Sequence, residues 1–260
     1  MQNTGIPVAA VICAAGSSAR MGGVKKEYLP FPSQTKPFGE KNLSVLGAAV
    51  SAFALTCIRN KPPGLDKISP IIITVPPGGE DAAKACLPAG LLAEEGRVLF
   101  AAGGATRRAS VFNALSLLKS YKPLVVLIHD GARPWIKKKL IERIIEAAIL
   151  YGAVAPVLPL IETPKELYTR LPENSDLKPA FIKRHPRREV LCTTQTPQGF
   201  RFPEILKAHE KAREKEEKEM FEYTDDAGIW GEFIGKVAVI PGDPENRKIT
   251  FPGDLKESYA

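Results

Sequence analysis

Val8-Ala9-Ala10-Val11-Ile12-Cys13-Ala14-Ala15-Gly16-Ser17-Ser18-Ala19-Arg20-Met21-Gly22-Gly23 is the stretch on which the fold turns. Residues 8 to 14 are an unbroken apolar run, the pattern of a strand buried on both faces, and such strands belong to parallel sheets covered by helices. The run gives way to small residues and then to Arg20, a loop between this strand and an expected helix. Small residues let backbone N–H groups approach phosphate oxygens closely. Neither GxxxxGK[ST] nor GxGxxG is present, so the loop is no P-loop and no dinucleotide fingerprint. Taken alone it is either a phosphate cradle or a tight turn.

The same alternation continues outward. Residues 31–42 read as a loop, Leu43 to Ile58 as a helix, Ser69 to Val75 as a second buried strand closed by Pro76-Pro77-Gly78-Gly79, and Asp81 to Leu87 as a short helix. Arg97 to Ala101 reads as a third strand before Gly103-Gly104, Thr106 to Ser120 as a helix, and Leu124 to Ile128 as a fourth strand ending at His129-Asp130. Lys137 to Leu150 and Ala153 to Leu158 read as helix and strand; Pro62-Pro63-Gly64 marks a break. Strands alternating with helices imply right-handed parallel crossovers, hence an α/β fold with a doubly wound, mostly parallel sheet, Rossmann-like, whose ligands bind beyond the carboxyl ends of the strands. Between residues 159 and 190 prolines and charges break the rhythm. Two short strands there would make a projecting β-arm; a surface loop is the alternative. Pro203 to Met220 reads as a charged, solvated helix, Phe233 to Ile240 as a late strand and Asp254 to Tyr259 as a terminal helix. One domain over residues 1–260 is expected.

Composition excludes several classes. No apolar run approaches the ~20 residues of a membrane span, and no cation precedes the apolar stretch at Val8, so no secretory signal is read and the protein is expected to be cytoplasmic. Cys13, Cys57, Cys86 and Cys192 show no CxxC pairing; each is expected as a small buried apolar residue rather than a nucleophile, disulfide or zinc ligand. The net charge of +7 is scattered, with no basic tract or RNA-binding motif, which favours anionic small molecules over nucleic acid.

Five segments carry the candidate chemistry. Arg20, with Lys25-Lys26-Glu27-Tyr28-Leu29, adds charge to the first loop. Asp130, in His129-Asp130-Gly131-Ala132-Arg133-Pro134, lies at a strand's carboxyl end, where a carboxylate suits Mg²⁺, a hard ion that takes one or two carboxylates plus phosphate oxygens; helix capping is its alternative. His129 reads as a structural histidine. Thr193-Thr194-Gln195-Thr196-Pro197-Gln198-Gly199-Phe200 reads as a strand turning at proline. Tyr223-Thr224-Asp225-Asp226-Ala227-Gly228 holds a good helix N-cap, and Lys248 in Glu245-Asn246-Arg247-Lys248-Ile249-Thr250 reads as a phosphate contact or a surface lysine.

In order, these five segments resemble the 2-C-methyl-D-erythritol 4-phosphate cytidylyltransferases of the non-mevalonate isoprenoid pathway, from about Val8 to Leu255. AAGSSARMG followed by KEYL resembles the family's AAGxGxRMG…PKQYL; HDGARP, TQTPQGF, TDDAG and ENRKIT resemble HDAARP, QTPQ-F, TDDAS and DNIKVT. The resemblance implies transfer of CMP from CTP to a polyol phosphate. Arg20, Lys26 and Lys248 would be catalytic cations. Ala14, Ala15, Gly16, Gly104, Ser110 and Asp130 would bind the nucleotide, with Asp130 also the Mg²⁺ ligand. Arg133, Thr163, Arg188, Thr224, Asp225 and Lys248 would bind the acceptor. Thr163 and Arg188 imply a homodimer clasped through an arm at about residues 159–190. Ser18, Lys25, Glu27, Ala105 and Gly131 depart from the family's usual residues. A ribitol 5-phosphate cytidylyltransferase and a non-catalytic nucleotide-binding protein are the alternatives; no nucleic-acid or membrane partner is expected.

Overall fold

The computed structural model describes residues 7–31, 43–58, 67–169 and 179–255. Most of the loop expected at 31–42, the break at residues 62–64 and the tip of the arm lie outside the described residues, as does everything after Leu255. The elements are β1 (Val8–Cys13), α1 (Val45–Ala54), β2 (Ile68–Val75), α2 (Glu80–Lys84), α3 (Ala89–Leu92), β3 (Val98–Ala102), α4 (Arg107–Leu117), β4 (Val125–Asp130), α5 (Lys138–Tyr151) and β5 (Ala153–Pro159). They continue with β6 (Glu166–Leu167), β7 (Ile182–Arg184), β8 (Cys192–Thr194), β9 (Gln198–Arg201), α6 (Glu204–Glu219), α7 (Asp226–Phe233) and β10 (Ala238–Pro241).

Seven strands follow the order β10-β5-β9-β4-β1-β2-β3, and β8 pairs with β5. The pairs of β1 with β2 and β4, of β2 with β3 and of β5 with β10 are parallel; β9 runs antiparallel between β4 and β5. The sheet is therefore α/β, doubly wound and mostly parallel, as the alternating pattern implies. Side-chain alternation along β1 divides the core. Val8, Ala10 and Ile12 pack on the side of Leu46, Phe53 and Ile141 from α1 and α5. Ala9 and Val11 pack on the side of Val111, Leu115 and Ile205 from α4 and α6. α5 buries Leu140, Ile141, Ile144, Ile145 and Ala148, the i, i+3, i+4 spacing of a helix with one face on a sheet.

Several expectations are corrected. The loop after β1 leads not into an α-helix but into single 3₁₀ turns at Ala19–Met21 and Lys26–Tyr28. Phe233 ends α7, so the late strand begins only at Ala238. At the end of the described chain stands a 3₁₀ turn, Pro252–Leu255. Cys57 and Cys192 are exposed rather than buried. The charged helix α6 is not solvated all round: Glu216 turns inward and pairs with the buried Arg108 of α4. Residues beyond 159 form a separate two-stranded sheet, β6 with β7. No described helix is long and apolar enough to cross a membrane.

Candidate active site

The strand order reverses at β1: β2 and β3 lie on one side and β4 on the other. Crevices at such switch points receive ligands in open α/β sheets. Cys13 and Asp130, the last residues of β1 and β4, stand in register, and the Gly131 N–H donates to the Cys13 carbonyl at 2.9 Å. Above them opens a cavity of 750 Å³ lined by the β1 loop, the β3–α4 turn, the end of β4 and the segment around Lys248.

The loop's shape follows from its small residues. The Ala14 N–H donates to the Thr74 carbonyl at 3.1 Å, carrying the β1–β2 ladder one residue further. Ser18 then takes a left-handed conformation, φ 54°. Between them, the N–H groups of Ala15, Gly16, Ser17 and Ser18 have no partner among the described residues. Successive unsatisfied N–H groups make an anion-binding concavity. Opposite sits the β3–α4 turn. A Cβ on Gly103 would collide with that of Ala15, so close approach of the two loops requires glycine there, and one on Gly104 would lie 2.5 Å from that of Ala109, so the tight turn into α4 requires the second glycine. Ser110 holds this turn: its Oγ accepts from the Gly104 N–H at 3.0 Å and donates to the Thr106 carbonyl at 2.9 Å.

Charge is concentrated here. Among the lining residues, the five cations Arg20, Lys25, Lys26, Arg107 and Lys248 face the three carboxylates Glu27, Asp130 and Glu222. Burial lowers the Lys26 pKa; Glu27 offsets this in part, while Lys248 and Arg20 lower it further. An arriving polyanion relieves that repulsion. Burial alone would raise the Asp130 carboxyl, but Lys248, Arg107 and Arg133 hold it well below the usual carboxylate range. Lys248 Nζ lies 2.9 Å from Asp130 Oδ2, and Arg133 Nε 3.4 Å from the same oxygen. Arg107 Nη2 pairs with the fully buried Asp226 at 2.8 Å, and its Nε lies 3.9 Å from Asp130 Oδ1. Asp226 in turn meets the fully buried His209 at 3.1 Å. Cys13 also reaches the cavity, but burial pushes its thiol up to about 12, so it is not a thiolate nucleophile at neutral pH. His129 is structural: Nδ1 meets Thr196 Oγ1 and Nε2 meets the Arg133 carbonyl, each at 3.1 Å. Burial lowers its pKa to about 4.

Of the residues singled out from sequence, the cavity brings together Arg20, Lys26, Lys248, Ala15, Gly16, Gly104, Ser110 and Asp130. Ala14 lies behind it, buried, with its N–H held by β2. Arg133 supports Asp130 from outside the lining and donates to the Asn246 carbonyl at 2.8 Å. Thr224 and Asp225 stand at the start of α7 outside the lining. Asp225 is its N-cap, accepting from the Gly228 N–H at 3.0 Å and from Gln198 Nε2 at 2.8 Å. Thr163 and Arg188 are exposed on the arm, where Arg188 Nη1 donates to the Ile161 carbonyl at 2.8 Å.

Sequence reasoning missed Arg107 and Glu222. One signal for Arg107 was available: it is a cation in the first turn of a helix, where the macrodipole disfavours positive charge unless carboxylates compensate. Glu222 carries no comparable signal, because only the packing of α6 against α4 brings it to the cavity.

A family model described as 2-C-methyl-D-erythritol 4-phosphate cytidylyltransferase matches residues 8–260. The bifunctional enzyme IspD/IspF of Bradyrhizobium sp. (strain ORS 278) is 38% identical over 254 residues, 97% of this chain and 56% of that protein. The 2-C-methyl-D-erythritol 4-phosphate cytidylyltransferase of Pelotomaculum thermopropionicum is 32% identical, covering 97% of this chain and 93% of its own length. The chain thus spans about half the length of the bifunctional relatives it matches. Among solved structures, the 2-C-methyl-D-erythritol 4-phosphate cytidylyltransferase of Thermus thermophilus is similar, with a TM-score of 0.65 at 29% identity and 96% of each chain covered. The 4-diphosphocytidyl-2C-methyl-D-erythritol synthase of Anaerococcus prevotii has a TM-score of 0.70 at 25% identity, covering 96% of this chain and 93% of its own.

Proposed function

Because this chain belongs to the 2-C-methyl-D-erythritol 4-phosphate cytidylyltransferase family, we propose that it transfers CMP from CTP to 2-C-methyl-D-erythritol 4-phosphate, releasing pyrophosphate, in isoprenoid precursor biosynthesis. The observation that carries this reading is the crevice at the ends of β1 and β4. There Arg20, Lys26 and Lys248 share one cavity with a row of loop N–H groups unpartnered among the described residues and a single strand-end carboxylate.

A phosphate oxygen of the acceptor attacks the α-phosphorus of CTP in line; that O–P bond forms as the bond to pyrophosphate breaks. The oxygen is already ionised at neutral pH, so no general base is needed. Catalysis is then positioning and charge neutralisation. This agrees with a cavity rich in fixed cations whose thiol, Cys13, is held protonated. Arg20 and Lys26, beside the loop N–H groups, neutralise the triphosphate. Gly104 and Ser110 border the nucleoside side, and Lys248 lies between the two substrates and takes up charge from the acceptor phosphate. The donor set fits Mg²⁺: one strand-end carboxylate, Asp130, beside room for phosphate oxygens. Asp130 would hold the ion, which supplies further neutralisation of the phosphates.

The reading extends to a second copy of the chain. The arm exposes Ile161, Tyr168, Phe181 and Val190, each more than two-thirds exposed, and a homodimer would cover them and present Thr163 and Arg188 to the partner's acceptor site. The deciding experiment incubates purified protein with each nucleoside triphosphate and with either methylerythritol phosphate or ribitol 5-phosphate, and measures pyrophosphate. CTP with methylerythritol phosphate is expected to turn over; turnover of ribitol 5-phosphate alone would overturn the acceptor, and no turnover with any pair the activity.

A further inference from the structure

Glu27 poses a physical puzzle: it is a carboxylate, 4% exposed, beside the loop N–H groups and cations Lys25 and Lys26 of the cavity. Its surroundings answer it. Lys25 Nζ lies 3.5 Å from Glu27 Oε2 and donates to the Gly16 carbonyl at 2.5 Å. Ser18 Oγ donates to the same Glu27 oxygen at 3.3 Å and accepts from the Lys26 N–H at 3.4 Å. The Lys25 ammonium also sits 5.8 Å from the centre of the Tyr28 ring. These contacts close a ring. They tie residues 16 and 18, on either side of the Ser17 N–H, which has no partner among the described residues, to the 3₁₀ turn that carries Lys26.

The ring has a directional consequence. A trans peptide is planar, with its C=O and N–H opposed. Holding the Gly16 carbonyl toward Lys25 therefore aims the Ser17 N–H the other way. Ser18 is held in a left-handed conformation, φ 54°, which a non-glycine residue adopts only when its surroundings impose it. Those surroundings are the Met21 and Gly23 N–H groups, which donate to its carbonyl at 2.8 and 3.3 Å, together with the hydroxyl contacts to Glu27 and Lys26.

We propose that Lys25 and Glu27 form a strap that sets the phosphate-binding loop against Lys26, which makes both of them positioning residues for nucleotidyl transfer. Lys25 acts by fixing the Gly16 carbonyl and Glu27 by fixing Ser18 and Lys25. The inference rests on the cytidylyltransferase reading for its kinetic expression but not for its geometry. It opposes the simpler view that Lys25 is another phosphate cation and Glu27 a charge that weakens nucleotide binding.

The test is a double-mutant cycle on the full chain with Lys25→Met, Glu27→Leu and the pair together, plus the conservative Glu27→Gln. A strap predicts that each of Lys25→Met and Glu27→Leu raises KM for CTP about tenfold, and that the double variant is no worse than the poorer single. Glu27→Gln, which keeps an acceptor for both donors, should stay within about threefold of wild type. Lower KM in Glu27→Leu, or single effects that multiply in the double variant, would overturn the strap in favour of separate charge effects. Thermal unfolding checks that each variant is folded. Hydrogen exchange of the Met21, Gly23 and Lys26 amides, which donate to Ser18, provides a readout independent of catalysis. Faster exchange in both single variants supports the strap even if wild-type protein does not turn over CTP, and unchanged exchange refutes it even if it does.

Discussion

The strand-end crevice and the arm are built on opposite principles. In the crevice the buried carboxylates Asp130 and Asp226 meet partners within the same chain: Asp130 meets Lys248, Arg107 and Arg133, while Asp226 meets Arg107 and His209. In the arm, charges pair locally across two strands, Glu166 with Lys183 and Arg184, and large apolar side chains stand in solvent. Low dielectric makes an unpaired charge costly, so the crevice must be complete within one chain before any ligand arrives. An exposed apolar surface carries no such demand, and it can await a second chain.

The largest expected effect comes from breaking the crevice's self-sufficiency. Arg107→Met leaves the fully buried Asp226 with His209 alone and should cost about 3–5 kcal/mol in denaturant unfolding. A loss below about 1 kcal/mol would mean that the crevice does not depend on this pair. The same site sets an acid limit. Burial raises the Asp226 carboxyl, but Arg107 and His209 bring it down to about 2. Its folded pKa lies below the ordinary carboxylate value, so its contribution is present above about pH 4 and is lost as pH falls toward 2. The unfolding midpoint of wild type should fall across that window, and that of Arg107→Met should fall less.

Next in size, Lys26→Ala should lower kcat/KM by about 10²–10³, the loss of one preorganised charge at the transition state, with the unfolding midpoint unchanged. A parallel drop in stability would mark Lys26 as part of the scaffold instead. On the arm, Tyr168→Asp combined with Phe181→Asp should weaken self-association by about 2–3 kcal/mol, seen as a halved mass in sedimentation, while the unfolding of each chain is little changed. A wild-type mass equal to one chain would remove the contrast between the two regions. The smallest effect belongs to Glu166→Gln: its partners are solvent-exposed, so neither turnover nor midpoint should move measurably.

Much of this contrast is readable in the residues themselves. The apolar run at Val8, the small loop after it and the carboxylate at Asp130 are local patterns, and they place the fold and the part of the cavity at the ends of β1 and β4. Arg107 is less legible, because its meaning depends on Asp226, 119 positions later in the chain. Thr224 and Asp225 show the reverse. They read as acceptor ligands or as a helix cap, and the structure gives Asp225 the capping bond without bringing it to the cavity lining. The helix expected after the small-residue loop is another such case. Strand-helix alternation calls for it, whereas the left-handed Ser18 accepts the Met21 and Gly23 N–H groups at its carbonyl and the chain turns in 3₁₀ form instead.

The sequence by itself determined what depends on period and spacing: the buried parallel strands, the helices that cover them and the loop able to meet a phosphate. These are properties of neighbouring residues, since side-chain alternation and backbone sterics act locally. Only the tertiary structure decided what depends on distant residues meeting. It inserted the antiparallel β9 beside β4, set Cys13 level with Asp130, surrounded that carboxylate with three cations and closed the Lys25–Glu27 strap. The physical reason is that burial converts each charge into a requirement for a partner, and the chain meets that requirement across space rather than along its length.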